Sequence, residues 1–444
     1  MSHIERPRFS CVLGGALTTI NSLPRVAPIV HASQGCGGNL FSSAFAGSGY
    51  LGSGYCGGQS VSSSNIGDSD IVFGGGERLD EQITTTLEMI DADLFVVATS
   101  CMTEIIADDV HGVVSCFSEN GVPIFAIETG GFRGNSYHGY EKVIEGLFLN
   151  YIERRDEKDE ALVNILGVVP AYDPFFRGDL EEIKRILEAL GLKANTFFTN
   201  DQTGENIQSA GSASLNIIFS RAYCGELAEK IRETHGIPYF ITDLPVGALS
   251  TRDFINELQS YIKIDPGTAG RVLKEEFSTY YKYVDRALDL YADSDFQQYA
   301  LVAANANSVI PYSKYLVNEL GWIPERMFVT DDLADWQKEA VENAFKKQVA
   351  GNAELIFEPS ATKIQRSYMQ ENPQFLSQRY FEKHAPAYLL GSSLEKDFAA
   401  ALGAKLLTVS FPVMNRLIVD RSYAGFRGGL HLFEDIVSSL VQMR

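Results

Sequence analysis

Asp93-Leu94-Phe95-Val96-Val97-Ala98-Thr99-Ser100-Cys101-Met102-Thr103-Glu104-Ile105-Ile106-Ala107-Asp108-Asp109 reads as a short apolar run, a polar turn and a helix-like stretch. An unbroken apolar run of this length marks a strand buried on both faces, as in parallel sheets covered by helices. Cys101 falls where strand passes into helix. The same setting recurs upstream. Ala27-Pro28-Ile29-Val30 leads through His31-Ala32-Ser33-Gln34-Gly35 to Cys36-Gly37-Gly38, and Cys11 stands before the helix start Val12-Leu13-Gly14-Gly15-Ala16-Leu17. At such turns unpaired backbone N–H groups and the positive end of the helix dipole favour thiolate, the metal-binding form. The carboxyl ends of neighbouring parallel strands open into one crevice, so thiols distant in sequence can converge there.

Outward from this stretch the strand and helix rhythm continues to the end of the chain. Strands are predicted over 92–99 and 123–127, with helices over 79–90 and 142–152. A fresh buried strand over 162–170 opens a second unit, which adds a helix over 180–190, a strand over 215–219 and a helix over 224–233. A third unit starts at 298–303, with strands over 327–330, 353–358, 387–390 and 405–409. A final helix over 428–443 packs back on the rest. The predicted fold is α/β: three doubly wound parallel-sheet, Rossmann-like domains at 1–160, 161–295 and 296–444, the first carrying the three cysteines.

Composition narrows the function. Six cysteines in 444 residues are too sparse for a stapled secreted scaffold, and neither a signal peptide nor a membrane-spanning apolar run is present. A cytoplasmic protein is expected. The 37 basic and 57 acidic residues give a net charge of −20, which makes nucleic acid an unfavourable partner. No G-x-x-x-x-G-K-[ST] motif is present, so the chain is not expected to hydrolyse ATP. Gly74-Gly75-Gly76 and Gly130-Gly131 read as tight turns at strand ends. Glu104, Asp108 and Asp109 read as dipole partners in a helix, and His31 either as a satisfied buried histidine or as a hydrogen-bonding neighbour of the Cys36 turn.

A free cysteine is more often a small buried hydrophobe than a ligand. Structural zinc sites usually pair their cysteines closely, and no Cys-x-x-Cys occurs here. Iron–sulfur ligation suits scattered thiolates on loops, yet three thiols are one short of the usual four. Either the cluster keeps an open or non-cysteine position, or a second chain completes it. Cys56 and Cys116 have no role legible in the sequence.

These segments carry a resemblance that covers nearly the whole chain. Cys11-Val-Leu-Gly-Gly-Ala-Leu, His31-Ala-Ser-Gln-Gly-Cys36, Asp70-Ile-Val-Phe-Gly-Gly75 and Thr99-Ser-Cys101-Met-Thr-Glu-Ile-Ile-Ala-Asp-Asp109 resemble the amino-terminal domain of the β-type subunit of the nitrogenase component 1 family. Leu390-Gly-Ser-Ser393, Val409-Ser-Phe-Pro412-Val-Met-Asn-Arg416 and Arg421-Ser-Tyr-Ala-Gly425-Phe-Arg-Gly-Gly429 resemble the end of the same subunit. The resemblance implies that Cys11, Cys36 and Cys101 bind half of an [8Fe-7S] P-cluster, whose other half is held by an α-type subunit in an α2β2 complex. It also implies an ATP-dependent iron–sulfur reductase protein that docks transiently and delivers electrons, and a catalytic cofactor in the α-type chain.

Departures from the family pattern bear on which member this is. The cysteine that holds the active-site cofactor in α-type chains corresponds here to Ser220, after Leu215-Asn216-Ile217-Ile218-Phe219, and Cys224 comes four residues late. Cys224 is read mainly as core, with ligation from one helical turn on as the alternative. Gly131 stands where molybdenum nitrogenases carry a serine that can bind the oxidised cluster. The resemblance is greatest to nitrogenase-like methylthio-alkane reductases, which cleave a C–S bond reductively. An alternative nitrogenase and a cofactor-assembly scaffold are the other readings, though the scaffold pattern loses the motif around Cys101.

Overall fold

In a computed structural model of the chain, residues 4–49, 61–293, 298–351, 353–372, 386 and 388–441 are described. Their strands form three sheets, all pairs parallel. The first is β1 (Val26–His31), β2 (Ser62–Ser63), β3 (Leu94–Thr99) and β4 (Ile124–Ile127), in spatial order β2-β1-β3-β4. The second is β5 (Asp159–Leu166), β6 (Lys193–Asn195), β7 (Ala213–Ile218) and β8 (Tyr239–Ile241), in order β6-β5-β7-β8. The third is β9 (Tyr299–Ala304), β10 (Ile323–Val329), β11 (Glu354–Phe357), β12 (Tyr388–Gly391) and β13 (Lys405–Thr408), in order β11-β10-β9-β12-β13. Each order reverses once. Reversal leaves a crevice at the carboxyl ends of two adjacent strands, which are β1 and β3 in the first sheet.

Both faces of the first sheet are covered, as its buried β3 requires. On the outer face Ile29 and Val97 pack against Leu79 and Ile83 of the helix Gly76–Met89 and Val110 and Val114 of the helix Val110–Glu119. On the inner face the helices Val12–Ser22 and Ser136–Asn150 cross closely. A Cβ on Gly15 would lie 1.9 Å from the Ser136 carbonyl oxygen, and one on Gly139 would lie 2.1 Å from that of Val12. Only glycine permits this crossing, and it fixes Cys11 against the start of the second helix. One continuous buried cluster then runs from this inner face through the second and third units.

In the second sheet, register is marked by a polar ladder. The buried Asn164 donates to Asn216 Oδ1 at 2.9 Å and accepts from Asn195 at 3.2 Å, so β6, β5 and β7 carry asparagine side by side. A one-residue slip would turn each amide to the other face and strand it. The last helix, Gly425–Val441, packs on Gly247–Leu258, Pro266–Val284 and Phe176–Ala189 of the middle of the chain.

One expected feature is placed differently. Gly74-Gly75-Gly76 does not end a strand: Gly74, at φ +95°, closes the helix Asp68–Phe73, and Gly76 opens the next. The apolar run Ile71-Val72-Phe73 is mostly exposed, which a buried strand would not be. Gly130-Gly131 does follow a strand, β4, and leads into the single turn Gly131–Arg133.

Candidate metal centre at the first crevice

The Cys36 turn follows β1 and Cys101 follows β3, so the two lie at the point where the strand order of the first sheet reverses. Cys11 caps the helix Val12–Ser22 and bridges to Asn135, which caps the facing helix. Gly131 joins these parts. A Cβ there would lie 3.1 Å from both Cys101 Sγ and Cys11 Cβ, and its N–H donates to Cys101 Sγ at 3.0 Å. Cys36 stands on the turn after β1, the strand paired with β3, at the same end of the sheet as Cys101.

The three thiols differ in exposure. Cys11 and Cys36 are half-buried, while Cys101 is exposed at the first position of the helix Cys101–Ile105. Burial pushes the Cys36 thiol up, offset by a hydrogen bond with Ser33 and reinforced by its two thiol neighbours. The helix-end setting therefore does not make Cys36 a thiolate by itself. A cation brought among the three thiols would reverse that balance. Among the described residues no three His, Cys, Asp or Glu side chains are grouped to hold a single metal ion. The donor set is all sulfur, spread around one crevice and open on the Cys101 side, which suits a multinuclear iron–sulfur group completed from outside the chain.

The acidic residues after Cys101 do more than accompany a helix dipole. Glu104 Oε1 accepts hydrogen bonds from Thr99 Oγ1 at 2.5 Å and Gly130 N–H at 2.6 Å, and Oε2 accepts from Arg133 Nε at 2.6 Å. Burial alone would raise its pKa, but Thr99, Arg133 and Gly130 together hold the carboxyl below the usual range. Asp108 accepts from Gly75 N–H at 2.9 Å and meets His31 Nε2 at 3.0 Å. Asp109 caps the next helix by accepting from Gly112 N–H at 2.9 Å.

His31 is a satisfied buried histidine whose partners tie the cysteine loops together. Ser64 Oγ accepts the Ala32 N–H at 3.2 Å and lies 2.9 Å from His31 Nδ1. This pattern assigns the ring proton to Nε2, facing Asp108. The His31 carbonyl accepts from Thr103 Oγ1, two residues beyond Cys101, at 3.1 Å. Burial lowers the His31 pKa, against the pull of Asp108 and Asp70, so the ring is neutral at neutral pH.

The remaining cysteines stand apart. Cys224 is 1% exposed in the main core, and burial, with Glu141 and Asp173, pushes its thiol well above the ordinary range. Cys116 is exposed on the helix Val110–Glu119, where its thiol donates to the Gly112 carbonyl. Cys56 lies outside the described residues. Sequence reasoning missed Glu104 as an organiser of this site, because its partner Gly130 is 26 residues away and nothing local announces the contact.

With this geometry in view, comparison with known proteins is informative. The family model for nitrogenase component 1 type oxidoreductase matches residues 11–441. The chain is 25% identical to the nitrogenase molybdenum-iron protein beta chain of Bradyrhizobium diazoefficiens over 467 residues, 98% of this chain and 83% of that protein. It is 23% identical to the nitrogenase vanadium-iron protein beta chain of Trichormus variabilis, over 98% of this chain and 94% of that one. A solved structure of nitrogenase Cp1 at pH 6.5 has the same fold, with a TM-score of 0.79, 19% identity, and coverage of 100% of this chain and 94% of that chain. Likeness to beta chains extends over nearly the full length, beyond the cysteine motifs, and the chain belongs to the nitrogenase component 1 type oxidoreductase family, as a β-type subunit of such an enzyme.

Proposed function

We propose that the chain is the electron-relaying β-type subunit of a nitrogenase-like reductase, in which Cys11, Cys36 and Cys101 bind one half of an [8Fe-7S] P-cluster. The observation that carries this reading is that Cys11 and Cys101 meet across Gly131 while Cys36 lies on the turn after β1, at the reversal point of the first sheet, with Cys101 at the surface. An α-type subunit supplies the other half, in a cytoplasmic α2β2 complex. When bound, such a cluster takes up and passes on single electrons. The chain contributes three sulfur ligands, an N–H donor from Gly131 to Cys101, and a His31–Asp108 link between the Cys36 and Cys101 loops. An ATP-dependent iron–sulfur reductase protein delivers the electrons, and the catalytic cofactor belongs to the α-type chain.

For the substrate we infer a methylthioether, cleaved reductively to a thiol and a hydrocarbon. Gly131 in place of a serine supports departure from molybdenum nitrogenase, because glycine offers no side-chain oxygen to an oxidised cluster. Dinitrogen reduction is the second reading, favoured by the full-length likeness to molybdenum-iron and vanadium-iron beta chains. The test is turnover by the purified α/β complex with its reductase partner. Thiol and hydrocarbon from a simple methylthioether, with little ammonia, are expected; sustained ammonia from dinitrogen as the main product overturns the substrate while leaving the cluster role standing.

A further inference from the structure

The loop beside Cys101 is held at its start by Thr99 and farther along by one carboxylate, Glu104. After β4 the chain runs Glu128-Thr129-Gly130-Gly131-Phe132-Arg133 over the Cys101 corner. Thr129 is tied to the end of β3, its N–H donating to Thr99 Oγ1 at 2.9 Å and its hydroxyl to the Thr99 carbonyl at 2.5 Å. Glu104, one turn into the helix that Cys101 begins, takes the next two anchor points. It accepts Gly130 N–H at 2.6 Å and Arg133 Nε at 2.6 Å, and Arg133 also pairs with Glu128 at 2.7 Å. The Gly131 N–H that reaches Cys101 Sγ lies between those two anchors.

The glycines fit this arrangement. A Cβ on Gly130 would lie 2.7 Å from Glu104 Oε2, and one on Gly131 would lie 3.1 Å from Cys101 Sγ. Both glycines serve close approach, one to the carboxylate and one to the sulfur. Hydrogen bonds to cluster sulfurs are among the levers that set the potential of an iron–sulfur centre, because they disperse negative charge and favour the more reduced state.

We propose that Glu104 is a positioning residue which holds the Gly130-Gly131 backbone so that the Gly131 N–H donates to Cys101 Sγ, and thereby raises the reduction potential of the centre. It rests on Cys101 being a cluster ligand. Glu104 touches neither sulfur nor metal and acts through the loop. Of its partners, Gly130 matters most, since that N–H is adjacent to the one that meets the sulfur. Gln at position 104 keeps an oxygen for Gly130 and Thr99 but turns an N–H donor toward Arg133. Ala removes both Glu104 anchors and leaves only the Thr129–Thr99 ties and the Arg133–Glu128 pair.

The test is a spectroscopically monitored redox titration and iron determination on the α/β complex, comparing wild type with Glu104→Ala, Glu104→Gln, Arg133→Ala and Cys101→Ala. The midpoint potential is expected to move negative in Glu104→Ala, less so in Glu104→Gln and least in Arg133→Ala, with Glu104→Gln keeping full iron. If Glu104→Ala loses iron, the shift must appear in Glu104→Gln. Loss of iron in Cys101→Ala together with unshifted potentials in both Glu104 variants would overturn the positioning role alone. Full iron in Cys101→Ala would overturn the ligand assignment on which it rests.

Discussion

Cys101 and Cys224 occupy the same kind of corner, each following a buried strand and standing at the amino end of a helix, and their surroundings give them opposite characters. Cys101 begins its helix after Ser100, whose N–H and hydroxyl exchange hydrogen bonds with Thr103, and its thiol faces outward beneath a glycine loop. Cys224 caps its helix in the left-handed region, φ +66°, with its N–H given to Glu141 Oε1 at 2.5 Å and its thiol sealed in the core. Helix ends offer N–H groups at both corners. Whether a thiol there can serve as a ligand depends on what covers it, and the cover comes from distant parts of the chain.

The larger consequence at the Cys224 corner concerns pH. Burial pushes the Glu141 carboxyl from 4.5 up to about 7, partly offset by the Cys224 N–H. Because its folded-state pKa is raised, the folded state holds this proton to higher pH than the unfolded chain. The stability it contributes is complete below about pH 4.5 and lost as pH rises through 7, roughly 3 kcal/mol for a shift of this size. The buried Asp173, raised to about 6, and Asp179 and Asp331, each raised to about 7, act in the same direction. Chemical unfolding should therefore show a less stable protein at pH 8 than at pH 5. Glu141→Gln keeps an oxygen for Cys224 and should flatten part of that slope; superimposable pH profiles of variant and wild type would break the account of this corner.

A smaller effect separates packing from backbone strain at Cys224. Ala removes a buried sulfur and should cost about 1–2 kcal/mol. Gly removes more side chain but relieves a non-glycine residue of a left-handed conformation, worth of order 1 kcal/mol. Equilibrium unfolding should find Cys224→Gly as stable as Cys224→Ala, and Gly falling well below Ala would show that strain is unimportant there.

How far the sequence could be read follows the same division between local and distant. The buried runs 94–99 and 299–304 are legible because a strand enclosed on both faces is apolar nearly throughout, and the predicted strands fall on β3 and β9. β6 and β8, of three residues each, were not predicted, since so short a run carries no periodicity. The expectation of a strand end at Gly74-Gly75-Gly76 failed because the apolar residues before it, Ile71-Val72-Phe73, belong to a short exposed helix. At the candidate site, the settings of the three cysteines at strand and helix ends were legible in the sequence, whereas the contacts of Glu104 and Asp108 depend on partners 26 and 77 residues away.

Iron content of the co-purified α/β complex, determined for Cys101→Ala beside Cys224→Ala, decides whether the thiols of the first crevice hold a shared cluster. Cys101→Ala should lose the cluster iron and weaken association of the two chains, because a ligand set shared between chains also joins them. Cys224→Ala should keep both. Full iron and unchanged association in Cys101→Ala would contradict the assignment of these thiols as half of a shared cluster site.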